Sequence, residues 1–327
     1  MQIYLLLTQK CNLSCPFCIR GKTRNLDLDI DAWNEILNKN DFLDYQLLLT
    51  GGEPSLYKNI NKIIELSINK FKSISINTNG VDSKWIDLLK HNVHIQISLD
   101  GIKNKHNQLR NNGKDDIFLK IEQTIKKIEN LGISYNISST ISQDNKNEIF
   151  EIHDYIKQFK GLKYWKISAQ LPFGCNMPNK VLDIQTWNCL VNSILEYSKI
   201  KLSIKKIFDF ELLDKFIKRY GDLLPQTNCG SGKNKFYIYP DFTVYPCTCL
   251  TDFPIGNLKK DTLKNISNSH KADFFSNYSV QKDSICHSCK YLKYCNGGCI
   301  GMSYYYFKEL GVGDYRCPII KEKLHIS

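Results

Sequence analysis

Three thiols stand close together near the start of the chain, at Cys11, Cys15 and Cys18 in "CNLSCPFC". Three thiolates are one ligand short of a closed tetrahedral zinc site or of a four-iron cube. A metal centre held this way keeps one coordination position for something other than the protein. A second ligand-handling element follows at "LLLTGGEP", residues 47–54, where Gly51 and Gly52 let backbone approach a partner and Glu53, before Pro54, offers an acceptor. The tail is richer in sulfur. In "CHSCKYLKYCNGGC", Cys286, Cys289, Cys295 and Cys299 are separated by two, five and three residues, "YRCP" adds Cys317, and Cys229 and Cys247 flank the stretch "FYIYPDFTVYP".

Thirteen cysteines in 327 residues would mean a disulfide framework only in an oxidising compartment. No apolar run approaches the roughly 20 residues that cross a bilayer, and "MQIYLLLTQKC" is too short in its apolar part for a signal peptide. The expectation is a soluble, cytoplasmic protein without a membrane partner, whose thiols serve metal or redox chemistry. The formal charge of +11 comes from lysines spread along the whole chain. No basic cluster is interleaved with aromatics, so nucleic acid is not the expected partner, and the charge reads as a solvated basic surface. An acidic peptide substrate would suit it too.

Elements must position these residues. Strand candidates are 3–8, 45–50, 73–77, 93–99, 133–140 and 164–169, continuous runs of the kind buried on both faces. Between them, 31–40, 58–70, 82–91, 115–131 and 145–160 have helical spacing. Strand and helix in alternation predict a parallel sheet with right-handed crossovers, its chemistry at the strands' carboxyl ends. After about residue 180, helical segments at 183–200 and 209–221 lead to a hairpin signal, Pro-Asp, within 236–246. The tail beyond has too few apolar residues for a large core and is expected to be held by metal.

Cys-x3-Cys-x2-Cys on the loop after the first strand resembles the signature of the radical SAM superfamily. The resemblance implies a four-iron cluster held by Cys11, Cys15 and Cys18, whose open iron takes S-adenosylmethionine (SAM) and whose electron cleaves it to a 5'-deoxyadenosyl radical. Phe17 fits the same pattern. The GGEP element, Gly51, Gly52, Glu53 and Pro54, corresponds to the family's contact for the SAM amino group. "NTNG" and "SLDG" follow the third and fourth strands, and by the same resemblance Ser98 and Asp100, with Asn79, Ser139 and Thr140, bind the ribose and carboxylate of SAM. For each of these the alternative is a turn residue capping a helix. A structural zinc loop is the alternative for the cysteines.

The tail pattern looks like the SPASM domain of radical SAM enzymes that modify ribosomally made peptides, which holds two auxiliary iron-sulfur clusters. It implies an outer cluster on Cys286, Cys289, Cys295 and Cys317 and an inner one on Cys229, Cys247 and Cys299. "GSGKNKF" after Cys229 lacks the further cysteine of fuller members, so either the inner cluster has an open iron or Cys249 closes it. Of the other thiols, Cys189 reads as a helical core residue, and Cys175 as a buried thiol or a hydrogen-atom donor at the barrel mouth. The implied organisation is a partial (β/α)6 TIM-type barrel over 1–180, a helical bridge over 181–226 and a small cysteine-rich iron-sulfur domain over 227–327.

Sulfatase-maturing relatives carry a basic Asp directly after the inner-cluster cysteine, where this chain has Thr248, and molybdenum-cofactor relatives have three C-terminal cysteines and a glycine-ended tail. The reading is a peptide maturase that forms an oxidative cross-link, a cyclophane-type carbon-carbon bond or a thioether, in a ribosomally synthesised precursor peptide. A reducing partner such as flavodoxin or ferredoxin is implied. Peptide epimerisation is the alternative within the class. An iron-sulfur electron carrier or zinc protein is the alternative outside it, although neither has a use for GGEP.

Overall fold

The six apolar runs form strands that pair in chain order: β1 (Gln2–Leu6), β2 (Gln46–Thr50), β3 (Ser73–Thr78), β4 (His94–Ser98), β5 (Tyr135–Ile141) and β6 (Leu162–Ala169), all parallel. A computed structural model of the chain describes residues 1–20, 26–89, 92–111, 113, 116–174, 180–204 and 229–326. Between the strands run α1 (Ile30–Lys39), α2 (Ile60–Ser67), α3 (Asn104–Leu109), α4 (Ile117–Asn130) and α5 (Ile149–Ile156). Asp29 caps α1 and Asp116 caps α4, each accepting from backbone N–H groups of the first turn. Of the expected α-helix over 82–91, the described residues 82–89 form a 3-10 turn, Lys84–Leu88. Three hydrogen-bonding side chains, Asp82, Ser83 and Asp87, crowd that stretch, and such residues compete with helical backbone bonds.

Alternation along the strands separates two faces. Ile3, Leu5, Leu47, Leu49, Ile74, Ile76, Ile95, Ile97, Ile137 and Ile167 are buried in one core with Trp33, Ile36, Ile63, Ile121, Ile125 and Ile152 of the helices. The opposite face, free of these helices, carries half-buried residues: Tyr4, Leu48, Ser75, Asn77, His94, Gln96, Ser98, Ser138, Thr140, Lys166 and Ser168. Cross-strand register lines them up, Ser75 beside His94, Asn77 beside Gln96 and Ser98 beside Ser138. Lys166 Nζ donates to Gln96 Oε1 at 3.3 Å. A sheet side with this much polar chemistry is suited to water or a polar ligand.

The sheet does not stop at β6 or begin at β1. β7 (Leu202–Ile204) adds to β6, and from the tail β8 (Lys235–Ile238) pairs parallel with β1, followed by antiparallel β9 (Thr243–Tyr245) and β10 (Gly256–Asn257). The result is one ten-stranded sheet with order β10-β9-β8-β1-β2-β3-β4-β5-β6-β7, open at both ends. The Pro-Asp hairpin of the sequence is β8 and β9. Its apolar residues Phe236, Ile238, Phe242 and Val244 belong to the main core, so most of the tail's burial is shared with the barrel; Val280, Cys286 and Ile320 form a second small cluster. α6 (Ile184–Tyr197) buries Trp187 and Ile194, seven residues apart on one stripe, which leaves Cys189 exposed on another side. The expected core role for Cys189 is therefore corrected. The expected helix at 209–221 lies outside the described residues.

Phe236 is fully buried where β8 meets β1, with its ring 6.3 Å from that of Tyr45. Phe236→Ala should cost about 3–5 kcal/mol. Limited proteolysis would then release the tail from the barrel at protease levels that leave the wild-type chain intact.

Candidate functional site

The loops at the strands' carboxyl ends are tied to one another through buried polar groups. The N–H groups of Gly52 and Glu53 donate to the carbonyls of Thr8 and Lys10, each at 2.8 Å, which joins the loop after β2 to the loop after β1. A Cβ on Gly52 would lie 2.0 Å from Lys10 O and one on Gly51 2.4 Å from Thr8 O. Both glycines are thus required by close passage of backbone on backbone. The Glu53 carboxylate is buried and accepts from Thr78 Oγ1 at 2.7 Å, Asn79 N at 2.7 Å and Ser55 N at 3.0 Å. Burial raises its pKa while these bonds oppose the rise. Its side chain, expected to be a ligand acceptor, instead welds the loops of β2 and β3. Pro54 opens a 3-10 turn, Pro54–Leu56, capped by Glu53.

Cys11, Cys15 and Cys18 lie on the loop leaving β1, all half-buried. The Cys18 N–H closes a turn on the Cys15 carbonyl at 3.1 Å. Burial pushes the Cys15 thiol up to about 12 and also raises Cys11, with neighbouring thiols adding to the rise and Arg110 opposing it. Asn79 reaches the same loop, Nδ2 donating to Asn12 Oδ1 at 2.8 Å.

Arg110 is the residue that motif spacing missed. Its Nε donates to Asp100 Oδ2 at 2.5 Å, and its guanidinium lies 5.3 Å from the centroid of the Phe17 ring. Asp100 is wholly buried and also accepts from Thr140 N at 2.7 Å, while its own N–H donates to His106 Nδ1 at 3.1 Å. Asp100, expected to touch SAM, orients a cation beside the cysteine loop. Ser139, expected in the same role, is buried on the helix side of β5, donating to the Leu99 carbonyl and accepting from Trp165 Nε1 at 2.8 Å. Ser98 and Thr140 are half-buried on the polar face. No sequence signal marks Arg110 beyond its being a cation ten residues after Asp100.

In the tail, Cys286, Cys289, Cys295 and Cys317 line one recess, walled by Ile285, Ile320 and the Gly297–Gly298 turn. A Cβ on Gly313, at φ +119°, would stand 2.7 Å from Cys286 Sγ. The Gly298 N–H closes the turn on the Cys295 carbonyl at 2.8 Å, and backbone of Gly297 and Gly298 opposes the rise that burial gives the Cys295 thiol. Soft donors converging on a recess of this kind fit an iron-sulfur cluster. Cys247 and Cys299 are half-buried, Cys229 exposed with its Sγ 3.0 Å from Ser231 Oγ. Burial pushes Cys299 up to about 11. Cys249 lies against the same group: its N–H donates to Cys247 Sγ at 3.4 Å, and a Cβ on Gly301 would be 3.0 Å from Cys249 Cβ and 3.7 Å from Cys299 Sγ. Cys175 lies outside the described residues, but Gly174 just before it packs on the first cysteine loop, where a Cβ would meet the Cys18 carbonyl at 1.8 Å.

Because β9 runs antiparallel to β8, Cys247 leaves the sheet toward the amino ends of the parallel strands. The first cysteine loop leaves at their carboxyl ends. The turn after Cys247 nevertheless returns to the first cysteine loop, where Arg20 Nη1 donates to Thr248 Oγ1 at 2.7 Å, and on the polar sheet face Tyr4 and Tyr237 stack with centroids 4.5 Å apart.

Such a sheet with such a cysteine loop defines a radical SAM fold, and two family models match: the radical SAM superfamily over residues 5–156 and an iron-sulfur cluster-binding domain over 229–290. The chain belongs to the radical SAM superfamily and carries a C-terminal SPASM domain; SAM and iron-sulfur clusters are its cofactors. It is 29% identical over 273 residues to the sporulation killing factor maturation protein SkfB of Bacillus subtilis (strain 168), covering 80% of this chain and 63% of that protein. The chain thus spans somewhat less than two thirds of SkfB. It is 25% identical over 327 residues to a cysteine-type anaerobic sulfatase-maturating enzyme of Clostridium novyi (strain NT), covering 89% of this chain and 85% of the relative. The structure of Streptococcus suis SuiB bound to precursor peptide SuiA superposes with a TM-score of 0.77 at 18% identity, covering 98% of this chain and 75% of SuiB, which is likeness of fold. Among the described residues no helix is long and apolar enough to cross a membrane.

His106 behind this site is buried, with no partner for Nε2 among the described residues, and burial aided by Arg110 pushes its pKa down to about 3. The unfolded chain takes up this proton near pH 6.5 and the folded chain only near 3. Stability is therefore lost as pH falls below 6.5, by up to about 1.4 kcal/mol per pH unit. His106→Asn, which keeps an acceptor for the Asp100 N–H, should flatten this slope when urea midpoints are compared between pH 7.5 and 5.5.

Proposed function

We propose that this protein is a peptide maturase that oxidatively cross-links a ribosomally made precursor. The observation that carries the reading is that the inner tail thiols stand one side-chain bridge from the first cysteine loop, Arg20 Nη1 donating at 2.7 Å to Thr248 Oγ1 between Cys247 and Cys249. A peptide on the polar sheet face meets the SAM-binding loop and the inner tail cysteines within one site. When bound, the first cluster with SAM supplies one electron and a hydrogen-abstracting 5'-deoxyadenosyl radical, and the tail clusters supply electron acceptors.

The chain's own residues supply position and charge. Cys11, Cys15 and Cys18 hold the first cluster and leave one iron for SAM. Gly51 and Gly52 offer backbone to its amino group, and Arg110, clamped by Asp100 at 2.5 Å, is the cation for its carboxylate. Ser98, Thr140 and Asn79 are the polar groups for the rest of the cofactor, with Phe17 backing Arg110. Cys286, Cys289, Cys295 and Cys317 hold the outer cluster. Cys229, Cys247 and Cys299 hold the inner one, and Cys249, whose N–H donates to Cys247 Sγ at 3.4 Å and which shares Gly301 as a neighbour with Cys299, closes it. SkfB is by its name the maturation protein of a sporulation killing factor, which agrees with a maturase. Thr248 has no carboxylate to act as a base at neutral pH, which separates this chain from sulfatase maturation as the resemblance describes it.

Co-expression with the neighbouring short open reading frame in deuterated water, followed by mass spectrometry, tests the reaction. The expected product has lost two hydrogens and gained no carbon-bound deuterium. Deuterium at an alpha carbon without oxidation would replace the reading by epimerisation. Replacing Cys11, Cys15 and Cys18 by Ala should abolish reductive SAM cleavage, and cleavage that survives would overturn the cluster assignment.

Cys249→Ala tests the closed inner cluster separately. The reduced tail clusters should change their EPR spectrum and respond to added cyanide, as an opened iron site would. A spectrum identical to wild type, with no response to cyanide, would remove Cys249 from the ligand set.

A further inference from the structure

Arg20, two residues past Cys18, reaches from the first cysteine loop to the tail. Its Nη1 donates to Thr248 Oγ1 at 2.7 Å and to Tyr239 Oη at 3.3 Å, and its guanidinium lies 5.8 Å from the centroid of the Tyr239 ring. Tyr237, stacked on Tyr4, feels the same positive charge together with Cys247 and Cys249. Both partners of Arg20 are neutral hydroxyls. They fix the direction of the guanidinium without neutralising it, and among the described residues no carboxylate pairs with Arg20 and neither Nε nor Nη2 has an acceptor. By contrast, Arg110 and Arg316 are each clamped by an aspartate, Asp100 and Asp314.

A half-buried guanidinium held by hydroxyls, with part of its donor fork unused, is a carboxylate receptor. We propose that Arg20, with Thr248, binds a carboxylate of the substrate peptide at the polar face between the two thiol groups. Thr248 accepts from Arg20, so its own hydroxyl proton is available to the same ligand. The carboxylate of SAM is not the expected partner, because Arg110 already stands beside the cysteine loop for it. A substrate covering the face removes water from Arg20, and an unpaired cation there is penalised unless the substrate brings a counter-charge. The formal charge of +11 favours the approach of the same acidic peptide. The ligand carboxylate belongs either to an Asp or Glu side chain or to the peptide's C-terminus. The inference rests on the peptide-maturase reading and specifies what that peptide must carry.

The test uses immobilised, anaerobically reconstituted holoenzyme with SAM and a synthetic decapeptide library. Library members come as Glu, Gln and Lys counterparts, each with a free or an amidated C-terminus. Wild type should retain Glu members about tenfold over Gln members, or free over amidated C-termini, and the preferred pair identifies the source of the carboxylate. Arg20→Gln should abolish the preference, Arg20→Lys should keep part of it, and Arg20→Glu should reverse it toward Lys members. A clamp between barrel and tail alone would not reverse with charge. Retention without charge preference in wild type, or an identical preference in wild type and Arg20→Glu, overturns the inference. If wild type cleaves SAM but retains no peptide, the peptide reading falls, and the inference with it.

Discussion

The pairing of β1 on both of its edges is the constraint on which the rest depends. β1 carries the first cysteine loop, and its ladder is completed by β2 on one side and by β8 of the tail on the other. An unpaired edge there would expose backbone donors and acceptors beside the thiols. Pairing it with a strand more than two hundred residues away in the sequence removes that edge and brings Cys247 and Thr248 to the barrel in the same step. The metal-binding tail and the SAM-binding barrel are therefore not beads on a string. Asn40 Oδ1 accepting from Leu263 N at 2.7 Å and Phe173 against Tyr305 at 5.0 Å extend the contact well beyond the strand pair.

A shell of buried polar side chains forms the second level. Glu53 joins the loops of β2 and β3, Asp100 joins the loop of β4 to β5 and to Arg110, and Asn145 donates to the Asp100 carbonyl at 2.6 Å and the Thr140 carbonyl at 3.0 Å. Burying these groups is costly unless every lone pair finds a donor, and here each carboxylate has at least two. Ligand-binding loops are ordinarily among the least rigid parts of a barrel. Cross-linking them through the protein's own side chains pre-organises the cofactor site and lessens the ordering entropy that binding would otherwise exact.

Sequence pattern conveyed the six parallel strands to within about two residues at each end, because the buried apolar positions of each strand stand out at a period of two from the helical spacing between them. It conveyed the thiols for a different reason, since metal ligands on short loops have fixed spacings. What it could not convey was contact between distant segments. Nothing in "FYIYPDF" says that β8 pairs with β1, and helical texture around Cys189 does not reveal which stripe faces the core. Glu53, Asp100 and Ser139 illustrate the same limit at the site. Their motif positions were legible, yet whether a side chain meets a ligand or a neighbouring loop is decided by which way it turns, and all three turn into protein. Arg110 and Arg20 lay hidden because their value comes from partners found only in three dimensions.

Those two arginines divide the electrostatic work of the face. Arg110 is held by a carboxylate of the protein, so the pair is close to neutral and mainly directional toward what lies at the cysteine loop. Arg20 is held by hydroxyls, so its full charge remains for whatever occupies the space between the thiol groups. A carboxylate at position 248 would pair with Arg20, and both charges would be spent within the protein. With threonine there, the site gives up an acid-base group and keeps a cation. The same exchange that argues against one reaction in this family thus argues for a substrate of a particular charge, and both consequences follow from one hydroxyl 2.7 Å from one guanidinium nitrogen.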